Sequence, residues 1–274
     1  MNPGKPLALG GLLAAMSVSF AGATTIAVNF GAFGSASEPG YTDVFPTAAV
    51  PNTVVTAASD QLVFGTSTVG GVTITASSAT IGGGAIADNR IRALNRFPTP
   101  PPNPEYTGPL SLLTTSWIGT QRGFLLADGA TSRASSLTIS LSGVADGLHT
   151  WTSYHLDNGL PATAGNGNQS GQLRIEFSND GGANFVTLTN AFQIADTEAI
   201  GVPPDANPFS HTFTAIAGQD IQFRFTNVAP GLLANGTVDP GQDFVVINGF
   251  NLIPEPSSAV LGLLGAVGLL RRRR

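Results

Sequence analysis

The chain predicts an all-β protein, an antiparallel β-sandwich. Three observations carry that prediction. Between residues 24 and 253, apolar residues recur with period two, and helical periodicity is scarce. The alternating runs are rich in Thr, Val, Ile and Phe, and Gly, Asn and Asp punctuate them. No helical stretch separates the runs, which argues against the βαβ units of a parallel sheet.

The elements follow in order. Thr25 to Phe30 reads as a first strand, ended by Gly31. Val54-Val55 and Leu62 to Phe64 are short candidates. Val72 to Ala76 alternates after the turn Gly70-Gly71, and Gly82-Gly83-Gly84 is a breaker. Phe97 to Pro109 holds six prolines, at 98, 100, 101, 102, 104 and 109. Proline lacks the ladder donor, so this stretch is a stiff, polyproline-like connection. Leu137, Ile139 and Leu141 alternate with Thr138, Ser140 and Ser142. Val144 to Gly147 makes a turn, and Leu148 to Leu156 forms the next strand, with Trp151 midway. Leu173, Ile175 and Phe177 oppose Arg174 and Glu176, and an ion pair between those two is expected on the outer face. Ile221, Phe223 and Phe225 oppose Gln222 and Arg224. Asp243 to Leu252 closes the body as a last strand. One domain is expected over residues 24–253, with a break near residues 97–109 as the alternative.

Composition narrows the class. The chain has 274 residues, 34 of them Gly and 19 Pro, yet its hydrophobic content of 42% supplies a core. A body of roughly 230 residues buries enough surface to fold without staples. Cysteine is absent, which excludes disulfides, zinc–thiolate sites and a Cys nucleophile. Residues 24–253 hold seven arginines and no lysine against sixteen acidic residues, a net charge of −9. Such a body repels nucleic acid and anionic lipid, so no nucleic-acid partner is expected. Neutral glycans and cations remain compatible with it.

The two ends read as addresses. Lys5, the apolar run Leu7 to Phe20 and the small-x-small site Ala21-Gly22-Ala23 have the layout of a secretory signal peptide over residues 1–23. Export through a Sec translocon follows. At the other end, Ile253-Pro254-Glu255-Pro256-Ser257-Ser258 leads into the apolar run Ala259 to Leu270 and then Arg271, Arg272, Arg273 and Arg274. A helix from Ser257 to Leu270 would extend only about 21 Å. The hydrocarbon core is about 30 Å thick, so the segment suits a transient stay in the inner membrane better than a permanent anchor. The arginines would stay cytoplasmic and leave the body outside.

Pro254-Glu255-Pro256, the short Gly/Leu-rich helix and the terminal Arg run together resemble the PEP-CTERM sorting signal of Gram-negative bacteria, over residues 254–274. The resemblance implies an exported protein delivered to an exosortase, an integral-membrane enzyme of protease/transpeptidase type, which removes the tail. It implies a place in envelope or exopolysaccharide biology and says nothing of the body's chemistry. Within the body, Val28-Asn29-Phe30-Gly31, Gly40-Tyr41 and the stretch Leu148-His149-Thr150-Trp151-Thr152-Ser153-Tyr154-His155-Leu156-Asp157 resemble galactose-binding-like or malectin-like domains. That resemblance implies a jelly-roll-like sandwich of carbohydrate-binding type, and fold alone does not fix function.

Several constellations could carry chemistry. Ser178-Asn179-Asp180-Gly181-Gly182-Ala183-Asn184-Phe185 matches an Asp-box, whose residues suit a hairpin turn. His155, Asp157 and Asn158 stand at a strand end before a Gly/Asn-rich loop, where binding residues concentrate. Trp151 shares a face with His149, Ser153 and His155. Exposed, it would stack on a sugar ring; buried, it joins the core. Asp239 and Asp243, near Gln242 and the carbonyls of Pro240 and Gly241, offer oxygen ligands to Ca²⁺, or a plain Asp-Pro-Gly turn. No Gly-x-Ser-x-Gly, His-Glu-x-x-His or phosphate loop is present. Glu176 alone stands out as a carboxylate for glycoside hydrolysis, which needs a spatial pair. The expectation is a non-enzymatic envelope or extracellular sandwich that binds polysaccharide or serves as matrix, with a polysaccharide-active hydrolase or lyase as the alternative.

Overall fold

The computed structural model describes residues 24–30, 38–44, 62–81, 88–93, 116–121, 134–157, 171–196, 207–229, 231–232, 238–239 and 244–256. The expected signal segment with Ala21 and Ala23, the apolar tail with Arg271 to Arg274, Val54-Val55, the Gly82 breaker and the proline stretch lie outside the described residues.

Strands are numbered in chain order. A first sheet runs β11 (Ala195–Asp196), β8 (Gly147–Asp157), β17 (Gly249–Pro254), β1 (Ile26–Asn29), β2 (Thr42–Asp43), with β12 (Asn207–Ala215) also paired to β8. A second sheet runs β10 (Val186–Gln193), β9 (Gln172–Ser178), β13 (Ile221–Ala229), β7 (Ala134–Ser142), β4 (Val72–Ile81), β3 (Leu62–Val69). A small sheet runs β16 (Phe244–Ile247), β6 (Ser116–Gln121), β5 (Asp88–Ala93), and β14 (Gly231–Leu232) pairs with β15 (Val238–Asp239). Pairing is antiparallel except for the short contacts of β1 with β2 and of β11 with β8. From β7 to β17 the chain passes repeatedly between the two large sheets. The architecture is the expected all-β, jelly-roll-like antiparallel sandwich.

Alternation decides what each strand buries. Ile74, Leu141 and Ile221 lie in one row across β4, β7 and β13, and Ala76, Ile139, Phe223 and Phe177 in the next. Their side chains are buried, while Thr75, Ser140 and Gln222 between them face outward. The first sheet answers with Ile26, Val28, Trp151, Phe213, Phe250 and Leu252. The β3–β4 hairpin closes on Gly70 and Gly71, with φ of +58° and +86°. Two successive positive φ angles define a type I′ turn, whose twist matches the flanking strands.

Two expectations need correction. The last strand does not run through from Asp243 to Leu252. It breaks at Asn248 into β16, which joins the small sheet, and β17, which joins the first. Asn248 makes the break stable: its Oδ1 accepts from the Leu156 amide at 2.6 Å, and its Nδ2 donates to the Leu156 carbonyl at 3.3 Å. Its own backbone bonds Tyr154 and Phe30. Nor do Arg174 and Glu176 pair. Glu176 accepts from Arg224 Nε at 2.8 Å, and Arg174 Nε donates to Asn190 at 2.8 Å. The cross-strand neighbour directly opposite is nearer than the residue two along, so register wins.

Candidate functional site

Strand β8 lies between β12 and β17 in the first sheet, and its phase decides which residues a ligand can meet. His149, Trp151, Ser153 and His155 face inward and are buried. Thr150, Thr152 and Tyr154 face outward.

This phase corrects the assignment of Trp151. The indole is fully buried, stacked between Phe223 at 4.3 Å and Phe250 at 4.1 Å. Facing the opposite sheet, it belongs to the core and has no surface to offer a sugar. His155 is corrected for the same reason. It is fully buried against Phe192 and Phe225. Its Nδ1 donates to the Val246 carbonyl at 2.6 Å, which fixes the tautomer, and its Nε2 then accepts from the Ser153 hydroxyl at 2.9 Å. Burial holds its pKa down at about 4, so the ring is neutral. Asp157 ends β8, with its side chain outside the described residues, as are Asn158 and Asp243. Asp239 is placed only as backbone, in β15. Among the described residues no three His, Cys, Asp or Glu side chains gather as a metal site would require.

The open face of the first sheet brings other groups together. Asn251 of β17 donates from Nδ2 to the Tyr154 hydroxyl at 3.0 Å. Tyr41, just before β2, joins them: burial, and then its hydrogen bond with Tyr154, push its phenol pKa above the usual value, against the opposing pull of Asn251. The Asn251 Oδ1 is shielded from solvent and has no partner. Beside this cluster Asn29 Nδ2 donates to Asp43 at 2.6 Å. Next to it lie paired hydroxyls, Thr152 with Ser210 and Thr150 with Thr212, each at 2.8 Å. Outward positions of β8, β12 and β17 hold no charged side chain among residues 148–154, 207–215 and 249–253. Two partly exposed aromatic rings with polar tips and a hydroxyl field make a surface that can bind a polyhydroxyl ligand. Sequence reasoning missed Tyr154 by choosing the wrong phase of a legible strand. It missed Asn251 because that residue stands 97 positions from its partner.

The Asp-box is a turn on the second sheet, remote in the register from Tyr154. Ser178 Oγ donates to Asp180 Oδ1 at 2.6 Å and accepts from the Gly182 amide at 2.9 Å. Asn184 donates to Asp180 from its backbone at 3.0 Å and from its side chain at 2.7 Å. These donors, the Ser178 hydroxyl first, hold the Asp180 carboxyl down at about 2. Gly182 has φ of +89°, and a Cβ there would meet the Gln222 side chain at 2.5 Å. Phe185 lies under the Arg224 guanidinium at 3.8 Å, so the arginine is held by both the ring and Glu176.

No family model and no curated protein matches the chain. Among solved structures it is similar to the carbohydrate-binding module CBM6cm-2 of Cellvibrio mixtus lichenase 5A, solved in complex with cellotriose. That likeness covers 50% of this chain and 88% of that one, at 13% identity and a TM-score of 0.25. It is also similar to the GH31 α-xylosidase of Xanthomonas citri, over 69% of this chain and 21% of that one, at 6% identity and a TM-score of 0.18. At that depth neither likeness bears on what this chain binds.

Proposed function

We propose that the protein is an exported, exosortase-sorted sandwich of the cell envelope or extracellular space that binds neutral polysaccharide through the open face of its first sheet. In this reading residues 1–23 direct export, residues 24–253 do the binding, and residues 254–274 deliver the protein to the exosortase and are removed. The observation that supports the binding half is the Tyr41–Tyr154–Asn251 cluster, two half-exposed phenols joined to an amide, beside the hydroxyl pairs of β8 and β12. Sugar rings present apolar faces to phenols and hydroxyls to amides, and both chemistries meet here. The sorting half rests on the Pro-Glu-Pro entry, the short apolar run and the Arg stop. The hydrolase reading gains no support from Glu176, which is committed to Arg224.

The full chain in mild detergent, tested against hydroxyethylcellulose, xylan, mannan and dextran, should bind at least one of them. Tyr154→Ala should weaken that binding roughly tenfold or more, as truncating a central aromatic anchor does. No binding to any of the four, with and without Ca²⁺, would sink the polysaccharide reading and leave a structural role in the matrix. Deleting residues 254–274 should alter delivery to the surface, and unchanged delivery would argue against sorting by the tail.

A further inference from the structure

Among the described residues four large apolar side chains are exposed: Leu148, Val186, Ile216 and Ile253. They are far apart in sequence, yet the topology gathers them at one end of the sandwich. Leu148 stands opposite Thr214 of β12, and Ile216 follows two residues further on. Ile253 stands opposite Thr150, so it shares the outer face of the first sheet with Leu148. Val186 opens β10 opposite Phe177, whose ring touches Phe213, the partner of His149. Backbone bonds tie the turns at this end together. The Gly181 amide donates to the Asp220 carbonyl at 3.0 Å, and the Ala217 amide donates to the Asp146 carboxylate. Single exposed apolar residues are ordinary on a soluble surface, and their gathering at one end marks a contact.

The chain leaves the body at this same end. The Glu255 amide donates to the Leu148 carbonyl at 2.8 Å, which pins the exit to one of the exposed apolar residues. Ile253 lies two positions before it. From Pro256 to Ala259, where the apolar run of the tail begins, is three residues, a reach of about 10 Å at full extension. With that run in a membrane, Leu148 and Ile253 are held close to the bilayer surface. Asp146, Asp180, Asp220 and Glu255 stand at this end too, and Arg224 of the second sheet is held by Glu176 and Phe185. This charge disfavours anionic lipid and leaves neutral headgroups as the fitting contact.

Building on the sorting reading, in which the tail enters the inner membrane, we propose that Leu148, Ile253 and Ile216 form a foot that rests on a bilayer of neutral headgroups while the tail is inserted. Tyr154 lies six residues along β8 from Leu148, about 20 Å at the rise of a strand. The foot thus keeps one end of the first sheet at the membrane and the Tyr41–Tyr154–Asn251 cluster away from it. Binding of this kind scales with buried apolar area, so three side chains hold only weakly by themselves and the body is released when the tail is removed.

The chain has no cysteine, so single labels can be placed cleanly. Thr214→Cys, exposed opposite Leu148, and Ala191→Cys, exposed toward the far end of β10, each carry an NBD fluorophore in the full chain. The tail reconstitutes them into phosphatidylcholine vesicles that hold headgroup-spin-labelled lipid. Interfacial apolar groups sink about 5–10 Å into the headgroup boundary, so quenching at Thr214 should exceed that at Ala191 by about twofold or more. Leu148→Asn combined with Ile253→Asn, both at exposed positions, should bring the two labels to the same level. Near-ultraviolet circular dichroism of the buried Trp151 checks that each variant is folded. Equal quenching of the two labels without those substitutions, or quenching at Thr214 that the double substitution leaves unchanged, overturns the foot. A label at Thr214 that is blue-shifted but not quenched is covered by protein, the chain's own tail or a second copy, and overturns it as well. If the full chain does not float with the vesicles, the membrane reading of the tail has failed and the foot falls with it.

Discussion

The two faces of strand β8 are made of similar residues and behave oppositely. Inward stand His149, Trp151, Ser153 and His155; outward stand Thr150, Thr152 and Tyr154. Each set mixes an aromatic ring with hydroxyls, so composition does not separate them. What separates them is the opposite sheet. Phe223 and Phe225 fill the space that the inward set faces, while the outward set is half-exposed. Polar groups on the inner face must then be satisfied internally. His155 succeeds with Val246 and Ser153, whereas the Trp151 Nε1 and His149 Nδ1 have no partner and leave the core with a standing cost.

The sharpest way to break this comparison is to empty the inner face. Trp151→Ala removes the ring on which Phe223 and Phe250 stack, and should cost about 3–5 kcal/mol in unfolding free energy. Denaturant titration checks it. A loss below about 1 kcal/mol would show that the indole is not the centre of the core.

Acid tests the inner face next. His155 is neutral in the fold, with a pKa near 4, and an unfolded histidine takes its proton near 6.5. Between those values the unfolded chain binds a proton that the folded chain refuses. Stability is therefore fully present above pH 6.5 and falls as pH drops toward 4, by about 3 kcal/mol from this residue. His211, whose pKa partial burial also lowers, acts in the same sense. Unfolding free energy measured from pH 7 to pH 4 should show the decline, and His155→Gln should flatten part of it. Imidazole resonances of His155 that titrate near 6.5 in the folded protein would contradict the burial argument directly.

The same strand shows what could be read ahead of the structure. The period of β9 and β13 is plain, because each carries three apolar residues at every second position. The phase of β8 is not plain: Trp151 and Tyr154 stand on opposite faces, and Thr, Ser and His tolerate either. Only contacts with Phe223 and the Val246 carbonyl decide it, and these lie 72 and 91 residues beyond their partners respectively. Strand β5, Asp88–Ala93, carried no readable alternation, with Ile91 its one large apolar residue. The break at Asn248 did leave a signal, since Asn248-Gly249 is a turn dipeptide inside an apolar run. The Asp-box was legible because its partners are local, all within Ser178 to Asn184.

The outer face should respond least in stability, and that small effect sharpens the contrast most. Tyr154 is half-exposed, and its hydroxyl bonds Asn251 at 3.0 Å and Tyr41. Exposed substitutions away from the core usually stay within about 0.5 kcal/mol, and a lost hydrogen bond of this kind adds about 1. Tyr154→Ala should therefore shift unfolding free energy by about 1 kcal/mol, well under the loss from Trp151→Ala three positions earlier. Thr152→Val, which keeps shape and removes the hydroxyl paired with Ser210, should shift it by less still. Denaturant titrations of the three variants side by side measure the contrast. If Tyr154→Ala proves as costly as Trp151→Ala, the outer face is a structural layer in its own right, and its tyrosines are held for packing rather than for a ligand.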